Sequence, residues 1–145
     1  MRIVCLSKRG LTFAQLTPPQ QAAVWQWMWH EGGFETEAQA KQSCLRCRYK
    51  VEDIPIQQVM AVWRRVAGTS GLAGFGVEKT DKHWNGTAAR VSKIQKTKMD
   101  WPYVVGAGAT FAEWAKDEMN HGDGFHRTLA AYWSGKPTMQ FLYML

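Results

Sequence analysis

Three stretches of the chain share one helix-start signal. Thr17-Pro18-Pro19-Gln20, Thr36-Glu37-Ala38-Gln39 and Thr110-Phe111-Ala112-Glu113 each place a threonine three residues before a glutamine or glutamate. In that pattern the hydroxyl accepts from the third backbone N–H and the longer side chain reaches back, so two orphan amides are satisfied together. Pro18 adds a fixed φ suited to the first helical position. Glycines supply the matching stops at Gly32-Gly33, Gly68 and Gly135, the last with Pro137 just beyond. These signals confine the chain to short helices with defined ends.

The apolar spacing fills those helices. The first runs from Thr17 to about Glu31, with Val24, Trp25, Met28 and Trp29 on one face. The second runs from Thr36 to about Lys50, and Ala40, Cys44, Cys47 and Val51 follow an i, i+4, i+7, i+11 stripe. Asp53 caps a third, in which Ile56, Val59, Met60, Trp63 and Ala67 recur at helical spacing. Together they predict a trihelical unit over residues 17–68.

Beyond Gly71 the texture changes. Asn85-Gly86 is a two-residue hairpin signal, and its flanks, Phe75–Trp84 and Thr87–Gln95, predict a basic β-hairpin within residues 71–98. A small-residue stretch, Val104–Ala109, leads to a helix from Thr110 bearing Phe111, Trp114, Ala115 and Met119. Asn120-His121-Gly122 breaks it, and Asp123 caps a last helix carrying Phe125, Leu129, Tyr132 and Trp133. The first dozen residues, with Ile3, Cys5 and Val4, Leu6 on opposite faces and an end near Gly10, and the tail Met139–Leu145 read as strands that pair with each other. The expected fold is α+β in a single domain spanning all 145 residues.

Composition sets the outer limits. At 46% hydrophobic and 21% charged residues the chain is an ordinary globular sequence. No apolar run approaches the roughly 20 residues of a membrane span, and the start, Met1–Arg9, lacks a secretory apolar core. Three cysteines make an odd set without framework spacing, which argues against a disulfide-built secreted fold. The expectation is a soluble cytoplasmic protein with no membrane partner.

The net charge is +6, and residues 36–70 and 71–100 each carry an excess of three cations. The densest run, Lys82 to Lys98 with Arg90, Lys93 and Lys96 between, contains no acidic residue. Such segregation draws phosphate-bearing partners. Three helices followed by a basic hairpin is also the element order of a winged helix-turn-helix. There the third helix would turn Gln57, Gln58, Arg64 and Arg65 outward, residue types that read bases and phosphates. The leading expectation is therefore a non-catalytic protein that binds nucleic acid or a nucleoprotein complex through a basic face in residues 46–98. Arg64, Arg65, Lys82, Arg90, Lys93, Lys96 and Lys98 would neutralise phosphates, and Trp84 would stack or wedge.

Eight tryptophans carry the second reading. Trp25, Trp29, Trp63, Trp114 and Trp133 fall on apolar helix faces and read as core, whereas Trp27 lies off the main stripe, where it could anchor a partner. That describes a protein-interaction module, a regulator or inhibitor of the kind phages and mobile elements encode. A third reading is a small nuclease, with His83, His121 or His126 as acid or base and Asp100, Asp117 or Glu118 on a metal. No catalytic residue is assigned, because nothing in the spacing fixes mutual geometry.

Two further patterns stay weak. Cys44, Cys47, His121 and His126 form a possible zinc set, but the helical stripe makes both cysteines core residues instead. Val104-Val105-Gly106-Ala107-Gly108 begins like a dinucleotide fingerprint, yet bulky Phe111 occupies the position that needs a small residue. No P-loop, H-E-x-x-H or nucleophile elbow is present, so no cofactor is expected.

Overall fold

The computed structural model describes residues 5, 7–69, 84–106, 109–116 and 125–145. They form an α+β chain. A 3₁₀ turn at Phe13–Gln15 precedes α1 (Pro18–Glu31) and α2 (Glu37–Arg46). Strand β1 (Tyr49–Pro55) and helices α3 (Ile56–Thr69) and α4 (Trp84–Thr97) follow. The chain continues through β2 (Tyr103–Val105), α5 (Phe111–Lys116), α6 (Phe125–Trp133) and β3 (Thr138–Met144). The sheet order is β1-β3-β2.

The threonine caps form where the sequence places them. Thr17 accepts from the Gln20 N–H, and the Gln20 side chain accepts from the Thr17 N–H at 2.8 Å. Thr36 and Thr110 accept from the Gln39 and Glu113 amides at 3.2 and 3.3 Å. After α6 the Gly135 N–H donates to the Tyr132 carbonyl and the Lys136 N–H to the Ala131 carbonyl. With Gly135 at φ +73°, this is the left-handed helix stop that glycine permits without Cβ strain.

Contacts divide the chain into two compact units. The first comprises Met1–Glu52, Asp100–Trp114 and Gln140–Leu145. Its sheet is covered on both faces. Val104, Leu142 and Met144 join Val24, Met28, Ala40, Cys44 and Tyr49 in one cluster. Tyr103, Phe141 and Trp114 form an aromatic cluster, with ring centroids 5.0–5.2 Å apart. β2 and β3 run parallel, Tyr103 opposite Phe141 and Val104 opposite Leu142, so alternate residues of β3 feed the two clusters. Burial on both faces explains why residues 139–145 are nearly all apolar.

The second unit comprises Asp53–Met99 and Ala115–Met139, with α3 and α4 both packed on α6. Trp63 and Phe125 meet edge to face at 5.3 Å, and the Trp63 indole N–H donates to the buried Thr128 hydroxyl at 3.0 Å. Trp63 and Trp114 are thus core residues as expected, while Trp25, Trp29 and Trp133 are only half-buried.

Several expectations are corrected. The trihelical unit over 17–68 does not form, because β1 separates α2 from α3 and the two helices belong to different units. The second helix ends at Arg46 rather than Lys50. Tyr49 leaves helical geometry to exchange two backbone hydrogen bonds with Leu11, at 2.8 and 2.9 Å. Asp53 lies inside β1 and is not a helix cap. The described half of the hairpin, Thr87–Gln95, is helical, with Asn85-Gly86 in the first turn of α4. Thr87 and Val91 are buried and Ile94 half-buried, so a helical period with a packing partner overrides the local turn signal. The terminal strand forms, but its neighbours are β1 and β2. Of the strand expected over the first residues to near Gly10, Cys5 and Ser7–Gly10 are described and are not in a strand, and the rest lies outside the described residues.

Candidate functional site

The charge divides unequally between the units. By sequence the second unit holds eleven lysines and arginines against six acidic residues, which is +5 of the total +6. Within it, α4 contains Arg90, Lys93 and Lys96 and no acidic side chain. All three are exposed, whereas Thr87, Val91 and Ile94 face inward.

Helical geometry makes these cations a stripe. Residues three apart rise about 4.5 Å and step back about 60° around the axis, so the three charges sweep roughly a third of the circumference. That arc runs from Lys96, opposite the buried face, to Arg90 at its flank. Ser92 lies beside it, also exposed; Gln95, exposed on the other flank, donates its amide to the Ser134 hydroxyl at 2.8 Å. Among the described residues the one ion pair is Lys50–Glu52, in the first unit. No described carboxylate therefore neutralises Arg90, Lys93 or Lys96. Lys96 sits in the last turn, where the helix dipole favours a cation, but Arg90 lies mid-helix and has no such structural explanation.

On α3 the outward residues are those expected: Gln57, Gln58, Arg64 and Arg65 are exposed. Both arginines are nevertheless engaged within the unit. The Arg64 guanidinium lies 5.7 Å from the centre of the Tyr132 ring on α6, and Arg65 donates to the Ala115 carbonyl. Neither contact neutralises the guanidinium charge. Lys98 follows α4 and is half-buried. Lys82 lies outside the described residues, as do His83 and His121. Trp84 opens α4, but its side chain is outside them as well.

The zinc set is not assembled. Cys47 is bonded to Cys5 and so is unavailable as a thiolate ligand. Cys44 is buried, and desolvation pushes its thiol up to about 11, away from the thiolate a metal needs. His126 sits on α6 with its ring 5.3 Å from that of Phe125. Among the described residues no group of three histidine, cysteine or acidic side chains is arranged to hold a metal.

In the first unit, Trp25 and Trp29 stack nearly parallel, 6.3 Å apart and half-exposed on α1. Trp27, the aromatic expected to anchor a partner, is half-buried like them; all three pack against the core cluster, and Trp27 also lies beside Gly106. Their i, i+4 spacing already places Trp25 and Trp29 side by side on one helix face. Among the described residues no helix is long and apolar enough to cross a membrane. Compared with family models, curated proteins and solved structures, the chain matches none.

Proposed function

We propose that this protein binds nucleic acid through the second unit, with α4 presented to the phosphate backbone. One observation carries the reading: Arg90, Lys93 and Lys96 stand exposed along one arc of α4 outside its buried side, with no described carboxylate to neutralise them. Cations so arranged displace condensed counterions when phosphates approach, and that release supplies affinity without base recognition. The exposed Gln57 and Gln58 of α3 add hydrogen-bonding groups on the same unit.

The test is an anisotropy titration of labelled single- and double-stranded DNA and RNA at several salt concentrations. Replacing Arg90, Lys93 and Lys96 together by glutamine preserves helix propensity and removes three charges. The slope of log affinity against log salt should fall in magnitude by about 2–3. Binding with an unchanged slope would reject α4 as the contact, and no binding at low salt would reject the reading.

The stacked, half-exposed Trp25–Trp29 pair favours a second reading, docking on a protein partner. Its mark is salt-insensitive binding that disappears in Trp29→Ala.

A further inference from the structure

All three cysteines lie in the first unit, and two of them are joined. Cys5, half-buried, is bonded to Cys47 across 42 residues, with Cα atoms 5.2 Å apart. Cys44, one helical turn before Cys47, is a free thiol only 1% exposed.

We propose that oxidation of Cys5 and Cys47 is a maturation step that staples the segment before Gly10 to the end of α2. The chain then reaches its finished fold where thiols are oxidised. In this step the two thiols lose two protons and two electrons as one S–S bond forms. An external disulfide of the glutathione or oxidoreductase class accepts both and is cleaved to two thiols.

The backbone prepares the pairing. Leu11 and Tyr49 exchange two hydrogen bonds, and the Arg48 guanidinium donates to the Gly10 carbonyl at 3.4 Å, so residues 10–11 are held against 48–49. Gly10 makes the approach possible: at φ +117° it accepts a left-handed conformation, and a Cβ there would lie 2.9 Å from the Tyr49 carbonyl oxygen. Cys47, the C-cap of α2, is already extended at φ −71°, ψ 156° and lies two residues from Tyr49.

The geometry also selects which cysteines pair. Cys44 sits inside α2, and the Tyr49 hydroxyl donates to its carbonyl at 2.6 Å, closing that end of the helix. Desolvation keeps the Cys44 thiol protonated, and the thiolate is the exchanging species. Once formed, the bond is protected. A solvent thiol reaches Cys5 and must expel Cys47, which is buried at the negative end of α2, a poor place for a thiolate. A persistent bond of this kind belongs to an oxidising compartment, against the cytoplasmic location that composition suggested.

The test uses the full chain purified without reductant. N-ethylmaleimide in denaturant should add once, at Cys44, and three times after dithiothreitol, and peptide mapping should recover a Cys5–Cys47 cross-link. Cys44→Ala should keep that link. The oxidised protein should melt on the order of 10 °C above the reduced protein and above Cys5→Ser, because the bond closes a long loop in the unfolded chain. Three additions before reduction, a disulfide that includes Cys44, or equal melting with and without dithiothreitol would each overturn the proposal.

Discussion

Two tyrosines of the first unit bury their hydroxyls under opposite circumstances. Tyr49 donates to the Cys44 carbonyl at 2.6 Å, whereas the buried Tyr143 hydroxyl meets no hydrogen-bond partner among the described residues. A buried polar group without a partner keeps its desolvation cost uncompensated. Tyr143→Phe should therefore be neutral or stabilising by up to about 1 kcal/mol, while Tyr49→Phe should cost about 1–2 kcal/mol. Urea denaturation of both variants decides this, and equal destabilisation would contradict it. Cysteine was harder to read at this scale. The stripe through Ala40, Cys44 and Cys47 correctly marked all three as buried, but burial pattern does not distinguish a thiol from half of a disulfide.

At the scale of elements, ends were easier to anticipate than neighbours. The capping threonines and Gly135 act within four or five residues, so their geometry follows from local sequence. Gly135 has open space around its Cα, so alanine there meets no clash and carries only the backbone cost of φ +73°. Gly135→Ala should destabilise by about 1 kcal/mol, with Gly135→Asn between the two, since asparagine tolerates that conformation better. Thermal melting of the three proteins checks the order, and an alanine variant as stable as the parent would show that the stop is not needed. Helix α4 shows the converse. Asn85-Gly86 is a strong turn signal in isolation, but the helix gains a buried face on α6 through Val91, and packing outweighs the local preference.

For the whole molecule, titration of buried groups sets the alkaline limit. Burial pushes the Cys44 thiol up to about 11 from an ordinary value of 9.0. Burial, then the nearby Glu52 carboxylate, pushes the Tyr143 phenol up to about 12. Tyr49 is raised further, by burial first and by Cys44 second. Each folded value exceeds its unfolded one, so the folded state binds more protons. The associated stability is complete below the unfolded values and is lost as pH rises. Urea midpoints should hold to about pH 9 and then fall steadily toward pH 12. Tyr143→Phe should make the upper part of that fall shallower, and a profile flat to pH 12 would count against the assignment. The charge imbalance belongs to this scale too. An excess confined to the middle of the sequence becomes an excess confined to one unit.

What the amino-acid sequence determined by itself were the features decided within a few residues: where α1, α2 and α5 start, where α1 and α6 stop, which faces are apolar, and where cations gather. The exposed face of α3, the inward Trp63 and Trp114 and the apolar terminal strand could all be read that way. Only the tertiary structure decided β1 and β2, the place of β3 between them, the helical state of α4 and the partner of Cys47. The reason is the range of the forces involved. A helix is written in contacts from i to i+4, but Tyr49 becomes a strand because Leu11 pairs with it, and Cys47 finds Cys5 across 42 residues. Such pairings depend on the path of the intervening chain, and no local window contains them.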